Sequence, residues 1–448
     1  MKSLSLHLSK SRLFFLGGFV FQLGLFFHFY RLNLLYAKPT EYLFLASSFI
    51  LFTAYAGSIN DFKNLIPKKN KDPLIFVSLI LGFVLSSTFI GFFSHNLLFD
   101  VNGFRLLLKL ILNTFIFISV IALINHYKIL IKNFAILFWL PFIVYLPLTW
   151  EASDFVYFGI NLVEPGSGRF RGFTEGPGAT AFSLNESLPI LLSFIFFVEN
   201  KYIKVGLIFS LIFLGLILIW CGSRIALIST FISLIYLIFF IVRFQKIPVK
   251  NFLYLLIVFS SGLYFLSYYL DLTQLNHMIT ERLTGRDTYD AANPIKNFSE
   301  YFKLTLDNFI DPNKNIRIAS FKYYFNLIID NPLGLGVNYF PTMAFIDAKV
   351  CLNHCPTDSI LDTLVHGGIG LFITLFIFSR KIIVLYFSKI TSLFKINSRF
   401  ALLYLGFSAA FISDLVVTLF GGFPIYSLKF WIISAIAFTF PYAERLKK

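Results

Sequence analysis

Twelve mainly apolar stretches, centred near residues 22, 49, 84, 115, 141, 188, 212, 232, 261, 369, 410 and 433, constrain this chain more than any other feature. A segment in hydrocarbon has no water to bond, so it must satisfy its own N–H and C=O groups, and a helix of about 20 residues does so while crossing the bilayer. The spacing predicts an all-α polytopic membrane bundle of about 12 transmembrane helices, with both termini on one side. Composition agrees. Only 14% of residues are charged, against roughly 25% in a soluble globular protein.

The net charge of +15 would suggest nucleic acid in a soluble chain, but its distribution does not. With Met1 inside, twenty-two Lys and Arg fall in the inner segments, among them Lys63, Lys68, Lys69, Lys71, Arg380, Lys381, Lys389, Lys395 and Arg399. The short outer loops hold five, Arg31, Lys38, Arg169, Arg171 and Arg224, with Lys429 at a span edge. That asymmetry orients the chain with cytoplasmic termini and leaves no basic face for nucleic acid. The first apolar stretch lacks a small-residue cleavage site and reads as an uncleaved helix.

Four parts follow: five spans in 1–149; a loop and spans six to nine in 150–270; a large outer loop in 271–358; three spans in 359–448. The large loop carries eight Lys or Arg and ten Asp or Glu, mixed along its length, which reads as folded rather than as a charged tail. Residues 296–310 and 315–330 place apolar side chains at helical spacing, with Ile318, Phe321, Phe325 and Ile328 as one stripe. They read as amphipathic helices on the membrane or over the bundle. NPLGLG at 331–336 stops the second.

No Walker loop, HExxH, GxSxG or paired CxxC occurs, so neither nucleotide nor metal is expected as a cofactor. Cys221, at an outer helix end, reads as a packing cysteine. Cys351 and Cys355 flank His354 in CLNHC, where a local disulfide is one reading.

Outer arginines are the first chemical candidates. Arg169 and Arg171 precede a Gly- and Pro-containing turn in RFRGFTEGPG; Arg224 ends the minimal turn CGSR; Arg317 opens the helix at 315. A guanidinium offers planar, bidentate donors to phosphate oxygens and keeps its charge, so the group suits a lipid-linked diphosphate. The plain alternative for each is an arginine at the lipid headgroups. Gly222 and Ser223 leave room for a ligand beside Arg224.

His354, just before a span and followed by Pro356, can titrate near neutral pH. It is a candidate base for a sugar hydroxyl, as is Glu175 in the turn. Asp358 and Asp362 follow His354 at helical spacing and could orient it. Glu186, Asp362 and Asp414 lie in apolar spans, where a charge costs on the order of 2.5–3.5 kcal/mol. Each needs a partner or a wet cavity. Glu186 reads as part of a sugar funnel, as a counter-charge to Arg224, or as half of a buried packing pair.

Four segments together resemble the superfamily of O-antigen ligases and Wzy-type O-antigen polymerases: RFRGFTEGPGATAFSL, GSRIALIS, RIASFKYYFNLIIDNPLGLGVNYF and NHCPTDSILDTLVHGGIGLF. Their order and the large late outer loop are similar too; the resemblance covers roughly residues 165–378. It implies an integral glycosyltransferase of the bacterial inner membrane, working on the periplasmic side with an undecaprenyl-diphosphate-linked oligosaccharide donor and a glycan acceptor. A chain-length regulator is a further implied partner. Arg224 and Arg317 match the diphosphate-binding arginines and His354 the catalytic histidine. The family's ligases place Asn after that histidine, whereas here Asn353 precedes it and Cys355 follows. GFTEGPG is closer to the turn of some polysaccharide polymerases, which favours a polymerase over a ligase.

Overall fold

The computed structural model describes residues 10–28, 39–56, 72–95, 101–127, 131–143, 145, 156–157, 160–164, 169–172, 174, 176–245, 325–337, 359–396, 398–420 and 424–439. The helices are α1 (Lys10–His28), α2 (Pro39–Ala56), α3 (Asp72–His95), α4 (Val101–Tyr127), α5 (Ile131–Ile143), α6 (Pro177–Phe197), α7 (Lys201–Trp220), α8 (Arg224–Gln245), α9 (Ser359–Ile396), α10 (Ser398–Phe420) and α11 (Leu428–Phe438). Eleven of the twelve expected centres fall on these helices; the one near 261 lies outside the described residues. Among the described residues seven helices are long and apolar enough to cross a membrane, which makes this a multi-pass helical membrane protein. The only described strands, β1 (Val156–Tyr157) and β2 (Ile160–Asn161), pair antiparallel as Val156 with Asn161 and Tyr157 with Ile160.

Without a hydrophobic force between lipid-bathed helices, close packing falls to small residues and aromatic contacts. At the α1–α2 crossing, a Cβ on Gly17 would sit 2.8 Å from Leu51, and Ser47 donates to the Gly17 carbonyl at 2.9 Å. A mutually packed trio, α6, α8 and α10, forms the centre. There Gly406 of α10 leaves room for Ser193 of α6, whose Cβ would be 2.7 Å from a Cβ at 406. Rings of Phe117, Phe378, Trp431 and Phe438 join α4, α9 and α11 through centroid distances of 5.5–6.2 Å.

Charged staples mark one end of the bundle. Lys381 pairs with Asp72 at 2.9 Å, and Arg399 pairs with Glu199. Lys389 donates to the carbonyls of Ala437 and Thr439, closing the C-terminus of α11. These three cations belong to the inner group read from the sequence.

Two helices are interrupted, and both interruptions position buried groups. α9 is 38 residues long and bends at Gly368, whose φ is +68°. Residues 331–337 lie in that bend: Leu335 N donates to Val365 O at 2.6 Å and Ile369 N to Pro332 O at 3.0 Å. On the opposite side, α3 holds the same peptide, with Ser87 donating to Leu333 O at 2.5 Å and Thr88 accepting from Val337 N at 3.3 Å. NPLGLG does stop a helical stretch at 325–330, and it is also a buried plug. Ile328 is buried and Phe325 exposed, while Ile318 and Phe321 of the same stripe lie outside the described residues.

The second interruption is α11. It has only 11 residues, too few for a span, and a 3-10 turn (Pro424–Tyr426) precedes it. Asn113, thirteenth of the 27 residues of α4, donates to Ile425 O at 3.3 Å, and Trp431 Nε1 does so at 2.7 Å. The chain therefore enters the bundle before α11 begins, and α11 starts near mid-depth.

Candidate functional site

At the end opposite the staples, residues 160–164 and 169–172 fold against the turn between α7 and α8. Glu164 N donates to Arg169 O at 2.8 Å and Arg171 N to Leu162 O at 2.8 Å, with Val163 bridging Phe170. Phe170 is completely buried between Tyr145 and Trp220, at centroid distances of 5.4 and 5.2 Å. Gly172, at φ +58°, is required because a Cβ there would strike the Tyr145 ring at 2.8 Å. Thr174 then bonds Arg171 O at 2.8 Å and Thr180 Oγ1 at 2.7 Å, and Thr180 also donates to Arg171 O. Pro177 opens α6, a first-turn position suited to its missing N–H.

This clamp brings Arg169 to the turn that carries Arg224. Arg169 Nε donates to Cys221 O at 2.8 Å, and Gly222, at φ +64°, lies against the same guanidinium. The space that Gly222 opens is thus filled from within by Arg169. Arg171 is half-buried two residues further on. Helix α8 begins at Arg224 and α6 at Pro177, so two helix N-termini with their partial positive charge flank this corner. Burial pushes the Cys221 thiol above its ordinary range, and the nearby Arg169 charge only partly offsets this. It is a free, buried cysteine, as read from the sequence.

The remaining candidates divide. The side chains of Arg224 and Asp362 are outside the described residues, although their backbones are helical. Glu175, Arg317, His354 and Asp358 lie wholly outside them, as do Cys351 and Cys355.

Glu186 has a defined partner, and it is Lys429: Nζ lies 3.3 Å from Oε2. Of the three sequence readings for Glu186, this pair matches the packing one. Lys429, which the sequence put at a span edge, is only 6% exposed because the turn before α11 carries it inward. Asp414 of α10 is buried as well. Next to them Asn185 accepts from Thr230 at 2.8 Å and from Ser413. Lys429 was the residue sequence reasoning missed. A lone lysine in SLKFW, within an apolar run, signals a buried partner.

Among the described residues no group of three or more His, Cys, Asp or Glu could hold a metal ion. Comparison with known protein families and with curated proteins finds no match to this chain.

Proposed function

We propose that the protein is an O-antigen or polysaccharide polymerase. It transfers an undecaprenyl-diphosphate-linked glycan to a sugar hydroxyl of another lipid-linked repeat unit, at the periplasmic face of the bacterial inner membrane. The observation that carries this reading is the corner where Arg169 meets the turn leading into Arg224, flanked by the N-termini of α6 and α8. Fixed cations and helix N-termini are what a departing diphosphate needs.

In this scheme the diphosphate leaves as the acceptor hydroxyl attacks the anomeric carbon in one inverting displacement. Arg224 and Arg317 take the charge that develops on the leaving group, with Arg169 and Arg171 beside them. His354 accepts the hydroxyl proton, with Glu175 as the other candidate base and Asp358 and Asp362 as orienting groups. Alignment of donor and acceptor supplies much of the acceleration. A ligase would use the same chemistry with lipid A-core as acceptor.

The test is Arg224→Ala and Arg317→Ala in purified protein supplied with lipid-linked repeat units. Each should slow elongation by about a hundred- to a thousandfold, the usual loss for one such donor, while the protein still accumulates. Wild-type rates in both would end the diphosphate-clamp reading. Transfer to lipid A-core but not to a repeat unit would assign the ligase.

A second reading, a lipid-linked oligosaccharide flippase or other transporter, is favoured by the buried Glu186, Asp414 and Lys429 and the half-length α11. Transporters place polar groups and broken helices at mid-depth. Elongation without any energy source would exclude it.

A further inference from the structure

Glu186, Asp414 and Lys429 come from α6, α10 and α11 and are 3%, 8% and 6% exposed. Two carboxylates against one ammonium would leave an uncompensated negative charge in an apolar interior, an arrangement that costs several kcal/mol. Ser413 donates to Asn185, so the sequence neighbours of Asp414 and Glu186 meet across the packed α6–α10 contact. One proton on the two carboxyls removes that excess charge. We infer that Glu186 and Asp414 together hold one proton, and that with Lys429 they form a neutral proton-binding site at mid-depth of the bundle.

Neighbouring groups point the same way. Asn185 is completely buried and spends its Oδ1 on Thr230 and Ser413, the residue before Asp414, while its Nδ2 has no hydrogen-bond partner. Asp414 Oδ2 is likewise without one. An unspent donor and an unspent acceptor on residues linked through Ser413 suit a buried water, which needs both. Such a water would give the proton a path to exchange. Two buried tyrosines of α8 and α9 are already engaged: Tyr236 with Ser408 at 2.9 Å, and Tyr386 with Ile433 O at 2.6 Å. His366 of α9 packs on Tyr426 of the 3-10 turn at 6.1 Å between centroids. Among the described residues, the ion pair of these carboxyls is that of Glu186 with Lys429 at 3.3 Å.

The test of this site does not use activity. The full-length chain in lipid nanodiscs is followed by infrared spectroscopy near neutral pH, in H2O and D2O. The wild type should show a deuteration-sensitive C=O stretch of a protonated carboxyl, absent from both Glu186→Gln and Asp414→Asn. In each of these the remaining carboxylate pairs with Lys429 and needs no proton. Lys429→Met should double the band, because both carboxyls then bind protons. The two isosteric variants decide the matter if Lys429→Met does not fold. A wild-type spectrum lacking a band that either variant removes would overturn the proposal. Loss of the band on adding sodium at constant pH would also overturn it, by assigning the position to a metal cation.

Discussion

Arg169 Nε and the Cys221 carbonyl oxygen, 2.8 Å apart, tie the folded segment before α6 to the turn between α7 and α8. A hydrogen bond from a charged donor contributes about 1.5–3 kcal/mol, and this one also roofs a buried thiol. In a chain carrying Cys351→Ser and Cys355→Ser, Cys221 should resist maleimide, since burial keeps it as the thiol. Arg169→Ala should expose it and raise the labelling rate. Arg169→Lys should restore little, because a lysine lacks the planar Nε donor. Equal labelling with and without Arg169 would show that the tie does not shield the thiol.

The plug at 331–337 depends on glycines. A Cβ at Gly368 would meet Leu333 C at 2.5 Å and Pro332 O at 2.6 Å, and one at Gly336 would meet Thr88 N at 2.5 Å. Both have positive φ, and the obstacles are backbone. Gly336→Ala and Gly368→Ala should each destabilise by about 1–3 kcal/mol or more, through strain and overpacking. Gly82→Ala meets nothing within 4 Å and serves as control. Thermal unfolding in detergent ranks the three; equal midpoints would refute the close fit.

Lys429 is buried beside Glu186, so its removal takes away the ion pair and forces the carboxyl it neutralised to bind a proton at a cost in stability. Lys429→Met should cost about 3–5 kcal/mol. Adding Glu186→Gln should recover part of this, and a double-mutant cycle measures the coupling. A purely additive cycle would show that the pair does not interact.

Lys389 closes the last carbonyls of α11. Lys389→Met should fray that end, seen as faster amide hydrogen exchange for residues 436–439 with little change in α6. Unchanged exchange would mean that α11 is held by its rings alone.

Twelve spans, as read from the sequence with one near 261, would put residue 246 and residue 291 on opposite sides. Single cysteines, Lys246→Cys and Ala291→Cys, should react with a membrane-impermeant reagent from opposite faces. Reaction from the same face would remove that span.

Helix positions were legible because hydropathy alone decides where a chain can lie in lipid. Interruptions were not. The run from 428 to 438 is as apolar as a span, and nothing local to it shows that 424–426 has already carried the chain inward. The same distance along the chain misplaced Lys429 at an edge. HGGIG shows where α9 could bend, but the bend needs 331–337 as its partner, a pairing that no periodicity encodes. Arg169 and Arg224 share a corner through the burial of Phe170 and the turn at Gly222, both tertiary events. Their residue types alone had marked them as candidates.

The stitching of 331–337 between α3 and α9 also sets an order of assembly. During synthesis Ser87 and Thr88 leave the ribosome long before Asn331, and Val365 and Gly368 leave after it. When the plug emerges, only half of its niche exists. Its backbone bonds to Val365 and Ile369 must wait until α9 has been made and inserted beside α3. The closing of this part of the bundle is therefore late and post-insertional, and any delay in handing α9 to the membrane prolongs the time for which the NPLGLGV peptide has no place to dock.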